Sequence, residues 1–102
     1  MTSAFQIIAE PARRALLDAL REGPLPVGEL ARLTGLSQPN TSRHLRIMRE
    51  AGVVDFQASG QQRRYALRPE GLAEPAGWLT PYVLALQRTR PAGWNLERDD
   101  PR

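Results

Sequence analysis

The chain has 102 residues, a formal net charge of +3, 41% hydrophobic and 25% charged residues, and no cysteine. That length sets one soluble domain as the expectation, and the missing cysteine excludes a disulfide scaffold, a thiolate metal site and a cysteine nucleophile. No run approaches the roughly 18 apolar residues of a membrane span, and Met1 to Glu10 lacks the basic and long apolar regions of a signal peptide, so the expected compartment is the cytoplasm.

Glycine and proline divide the chain. Pro11 suits a first helical turn and opens a stripe of Ala12, Leu16, Leu17 and Leu20 that Gly23 ends. A shorter stripe of Val27, Leu30, Ala31 and Leu33 ends at Gly35. Ser37 stands where a hydroxyl would cap the next helix. That helix, over 37–51, carries Thr41, Leu45, Met48 and Ala51 on one face and closes at Gly52. The period then changes to two. Val54 and Phe56 alternate with polar residues, Ser59-Gly60 makes a turn, and Tyr65 and Leu67 alternate in return, which predicts a β-hairpin over 54–67. A last helical stripe follows: Leu72, Ala76, Leu79, Val83 and Leu86. Pro75 and Pro81 interrupt it, which predicts a kink at Pro81 or a helix starting near Pro75. Residues 91–102 read as a polar tail, and residues 1–90 as the domain.

Charge by segment says more than the total. Residues 1–36 are neutral, 37–68 carry +4 and 69–102 carry −1, and every basic side chain is arginine. The excess therefore lies on the third helix and the hairpin. At about 100° per residue, Ser42, Arg43, Arg46 and Arg49 share a face opposite Thr41, Leu45 and Met48. One face is built to pack, and the other presents hydroxyl and guanidinium groups. A short helix, a Gly35 turn and a basic helix make a helix-turn-helix, and the hairpin after it makes that motif winged. The predicted class is mainly α with a β-hairpin wing, in the order α-α-α-α-β-β-α. On this reading Gln38, Ser42 and Arg43 approach base edges, with Pro39 and Asn40 at the start of the helix. Arg46 and Arg49 bind phosphate. Gln62, Arg63 and Arg64 on the wing meet the backbone or the minor groove.

Several stretches carry a family resemblance. Glu10-Pro11-Ala12-Arg13-Arg14, Val27-Gly28-Glu29-Leu30-Ala31, Leu36 to Arg46, and Glu50 to Val54 followed by Gly60 and Arg63-Arg64-Tyr65 resemble the ArsR/SmtB family of winged-helix repressors. The resemblance covers roughly residues 4–88. It implies a homodimer that binds a palindromic operator in double-stranded DNA and represses. It also implies an interface made by the first and last helices: the segment around Phe5, Ile7 and Ile8, together with Leu72, Leu79, Val83 and Leu86, with Trp78 and Tyr82 beside them. Metal-sensing members carry a Cys-x-Cys motif where this chain has Pro26 and Gly28, or Asp and His on the last helix, where Leu72–Gln87 has only Glu74. The one histidine, His44, lies on the basic helix without neighbouring ligands, so no metal or cofactor is expected. An unidentified organic inducer at the subunit interface is the corresponding expectation. The competing reading is a winged-helix module whose basic face takes an acidic protein partner. An enzyme is not expected: Ser42 and His44 do not face each other, and there is no glycine-rich phosphate loop.

Overall fold

The residue before a proline is pushed towards extended backbone, and Glu10 obeys, with φ −99° and ψ 120°. In the computed structural model, which describes residues 2–89, this separates helix α1 (Ala4–Ala9) from α2 (Pro11–Ala19). The polar segment at 91–102 lies outside the described residues. Ser3 caps α1: its hydroxyl accepts from the Gln6 N–H, and the Gln6 side chain accepts from the Ser3 N–H in return. A 3-10 turn (Leu20–Glu22) and a two-residue strand, β1 (Leu25–Pro26), lead into α3 (Val27–Thr34). Gly35, at φ 76°, turns the chain in the left-handed conformation that glycine reaches at least cost. Helix α4 (Gln38–Glu50) follows, with Ser37 as its cap.

Strands β2 (Val54–Ser59) and β3 (Gln62–Leu67) form the predicted hairpin in the register Val54↔Leu67, Phe56↔Tyr65 and Ala58↔Arg63. The sheet is nevertheless three-stranded, in the order β1-β3-β2, because Leu25 pairs with Tyr65 and Pro26 with Arg64. Proline is tolerated there because β1 is an edge strand. A 3-10 turn (Pro69–Leu72) then leads to α5 (Ala73–Thr89).

The core is Ile7, Leu16, Leu17 and Leu20 from the first helices and their 3-10 extension, Leu30 from α3, Leu45 and Met48 from α4, and Val53 and Val54 entering the wing. The α4 stripe packs as its spacing predicts, with Thr41, Leu45 and Met48 fully buried. Ile7 departs from the expectation that placed it in a subunit interface. It is fully buried within this chain, and of the three apolar residues expected there only Phe5 and, in part, Ile8 remain open. Leu72 is likewise half-buried and packs against the core.

Helix α5 behaves differently from the rest. It starts at Ala73, two residues before Pro75 and so near the start that the sequence allowed, and it continues through Pro81. Pro81 has no N–H for the Gly77 carbonyl. Pro75 is its only buried residue among those described. Trp78, Tyr82, Val83 and Leu84 are 45–60% exposed, and Leu79 and Leu86 about 40%. Trp78 meets Tyr82 at 5.0 Å and the edge of Phe5 from α1 at 6.4 Å. The aromatic face thus spans two helices and is left uncovered by the other described residues.

Candidate nucleic-acid interface

The Ser37 hydroxyl accepts from the Asn40 N–H at 3.2 Å and sets where α4 begins. Thr41, Leu45 and Met48 then clamp its inner face to the core, so its outer face is determined. Gln38, Pro39, Ser42, Arg43, Arg46 and Arg49 are exposed there, and Asn40 is half-buried. On the wing Gln62, Arg63 and Arg64 are exposed as well. Gln38, Ser42, Gln62 and Arg63 line one groove of about 670 Å³, whose other wall is the start of α3 from Pro26 to Glu29. The structure thus brings the start of the basic helix and the tip of the wing together. Alternation puts Arg63 and Arg64 on opposite faces of the hairpin, as neighbours along a strand must be. Arg64 pairs across the sheet with Pro26 and Gln57.

The arginines are not equivalent. The Arg43 guanidinium donates to the Asn40 side-chain oxygen one turn back. Arg46 meets Glu50 at 3.5 Å in an exposed pair, worth little in water. Arg49 lies 3.4 Å from Asp55 and stacks over the Phe56 ring at 4.2 Å. Arg63 reaches the same ring at 4.5 Å. Arg68 is held at the base of the wing by Asp55 and Glu70. The Phe56 N–H, which bonds Asp55 at 2.8 Å, together with Arg49 and Arg68, keeps the Asp55 carboxyl below its ordinary range. Phe56, Asp55 and the α3 wall of the groove were not singled out in the sequence. Only the alternation that made Phe56 an inward residue pointed to it.

His44 sits on the inner side of α4 and is 8% exposed. Arg13 from α2 donates to the α1 carbonyls of Gln6 (2.8 Å) and Ile7 (3.2 Å), and its Nη1 lies 3.5 Å from His44 Nδ1. An arginine only donates, so this contact suits a neutral imidazole with Nδ1 as the acceptor. Burial lowers the His44 pKa, and the charges of Arg13 and Arg43 push the same way, against a weaker pull from Glu10. Among the described residues, no group of three or more His, Cys, Asp or Glu is placed to hold a metal ion. Nor is any helix there long and apolar enough to cross a membrane.

A helix-turn-helix with an exposed basic second helix and a basic wing beside it defines a winged helix-turn-helix DNA-binding protein. Comparison with known proteins agrees. The model of the family described as "Bacterial regulatory protein, arsR family" matches residues 10–55. The HTH-type transcriptional regulator Rv2034 of Mycobacterium tuberculosis is 44% identical over 70 residues, which are 69% of this chain and 65% of that protein. The transcriptional repressor SdpR of Bacillus subtilis is 31% identical over 83 residues, covering 81% of this chain and 92% of SdpR. Among solved structures, a homodimeric winged helix-turn-helix domain from Mycobacterium bovis superimposes with a TM-score of 0.68 at 22% identity, over 90% of this chain and 84% of that one, and supports the fold. The chain belongs to the arsR family: it is a DNA-binding transcriptional regulator and not an enzyme.

Proposed function

We propose that residues 1–90 act as a homodimeric repressor of a palindromic operator. In this reading α4 enters the major groove and the wing lies along the adjacent backbone. Gln38, Ser42 and Arg43 read base edges, Pro39 and Asn40 let the start of α4 come close, and Arg46, Arg49, Gln62, Arg63 and Arg64 hold phosphates or the minor groove. The observation that carries it is the single groove shared by Gln38, Ser42, Gln62 and Arg63, which joins the helix start to the wing tip. Family membership favours duplex DNA over an acidic protein as the occupant of this face.

The uncovered aromatic face supports the dimer, with Phe5, Trp78, Leu79, Tyr82, Val83 and Leu86 meeting the same residues of a second copy and Ile8 and Leu72 at its inner margin. An apolar patch of this kind marks an interface. The homodimeric Mycobacterium bovis domain and the repressor SdpR are consistent with that assembly and with repression. In this reading an effector, where the protein has one, is an organic molecule. Its place would be the apolar hollow lined by Ile8, Leu17, Leu67 and Leu72 and rimmed by Arg14, Asp18 and Arg21.

Selection from random duplexes, followed by binding of Arg43→Ala and Arg64→Ala, tests the reading. The expected operator has two half-sites about one helical turn apart. Arg43→Ala is expected to relax base preference at one position for about 1–3 kcal/mol, and Arg64→Ala to weaken all sequences alike and reduce the salt slope by about one. Equal losses on every sequence for both variants would refute the base-reading role of Arg43. A monomer that protects a single half-site would refute the dimer.

A further inference from the structure

We propose that Phe56 is a positioning residue for the DNA backbone: its ring gathers Arg49 from α4 and Arg63 from the wing into one two-pronged seat for a phosphodiester group. This rests on the reading that α4 and the wing face duplex DNA. The two guanidinium carbons stand 4.2 Å and 4.5 Å from the same ring centroid. Both cations therefore lie within reach of one ring.

The arrangement is built into the strand pairing. Phe56 and Tyr65 are directly opposite and meet edge to face at 5.6 Å, which holds the half-buried Phe56 ring in place. Arg63, two residues before Tyr65, is on the same face. Its own partner is Ala58, whose methyl leaves the guanidinium a path across to the ring. The negative face of an aromatic ring attracts a guanidinium, which offsets the repulsion between two cations brought together. Asp55 offsets the charge of Arg49 but is shared with Arg68. Arg63 has no acidic partner among the described residues, so the seat keeps an unbalanced positive charge that an incoming phosphate satisfies. The ring also links the end of the reading helix to the wing, so the two elements grip the backbone as one unit.

The test measures affinity of the full chain for a random duplex across a salt series. Phe56→Tyr keeps a ring and is expected to bind within about twofold of the native protein. Phe56→Leu keeps apolar bulk without the ring face, and is expected to lose about tenfold in affinity and about one in the salt slope. Arg49→Ala and Arg63→Ala, which leave Phe56 untouched, are expected to be coupled: the double variant loses clearly less than the product of the two single losses. Equal binding by Phe56→Leu and Phe56→Tyr, or independent losses for Arg49→Ala and Arg63→Ala, would overturn the seat even if the native protein binds duplex steeply. Should Phe56→Leu fail to fold, the arginine cycle alone decides. Native protein that shows no salt-dependent duplex binding at all would overturn the underlying reading as well, and is told apart by that control.

Discussion

Adding one methyl group at Gly71 should unseat α5 from the DNA-binding half. A Cβ on Gly71 would stand 2.1 Å from the Gly52 carbonyl oxygen, 2.6 Å from its carbon and 2.9 Å from the Val53 Cα. Carbon atoms in contact sit about 3.5–4.0 Å apart, so the backbones must separate by roughly 1 Å or more. All three obstacles are main chain, and no rotamer relieves them. The ground on the other side is held as well: the Val53 N–H bonds the Met48 carbonyl at 3.0 Å, and the Arg68 N–H bonds the Val53 carbonyl at 2.8 Å. The Pro69–Leu72 turn therefore has to lift, taking with it Leu72, which packs on the core. Overpacking costs about 1–3 kcal/mol, and a rigid backbone obstacle puts Gly71→Ala near the upper end. For a domain of this length each kcal/mol moves Tm by about 4 °C or more, so a drop of about 10 °C is expected. Thermal unfolding followed by circular dichroism measures it. Gly77→Ala is the control, since a Cβ there meets nothing within 4 Å outside its own helix; inside a helix that change is expected to be neutral or to stabilise by up to about 1 kcal/mol. A Gly71→Ala protein that melts within 1–2 °C (roughly the error of matched melts) of the native one would refute the close approach. So would equal losses at both glycines.

Two further outcomes follow from α4. Ser37→Ala leaves the Asn40 N–H without its cap and is expected to cost about 1 kcal/mol in a urea titration; an unchanged midpoint would show that the hydroxyl does not set the helix start. The folded protein holds the His44 pKa below its ordinary value of 6.5. Between those two values the unfolded chain binds the proton more readily, so stability is full above pH 6.5 and falls as the pH drops through the folded value. Urea titrations over that window are expected to show this slope in the native protein and its loss in His44→Gln, and a slope that survives the substitution would place its origin elsewhere.

The parts of the molecule written in short-range pattern were legible from the sequence. Thr41, Leu45 and Met48 recur at helical spacing and are buried. Val54, Phe56, Tyr65 and Leu67 alternate and pair as a hairpin. The charge excess of residues 37–68 falls on one helix and one wing. What stayed hidden depends on contacts distant in sequence. Strand β1 is two residues long, one of them proline, and exists only because β3 passes beside it. Gly71 reads as an ordinary loop glycine until Gly52 is placed against it. Ile7 and Phe5 are two residues apart on a short apolar helix, and only packing decides that one enters the core while the other meets Trp78. Among the arginines, composition cannot tell Arg64, which has no acidic partner among the described residues, from Arg49, which is tied to Asp55 and Phe56, or from Arg68, which two carboxylates hold. Pro81 removes one hydrogen bond, and the surrounding turns carry α5 past it.

The three bonds of Arg13 have a mechanical consequence. Its guanidinium fastens two carbonyls near the end of α1 and reaches the imidazole on the inner side of α4. Phe5, on the same α1, touches Trp78 on α5. A tilt of α5 therefore has a short solid path to the reading helix, through one ring contact, one turn of helix and one side chain. In the proposed pair of chains, the separation of the two α4 helices would follow from how the α1–α5 seam is packed.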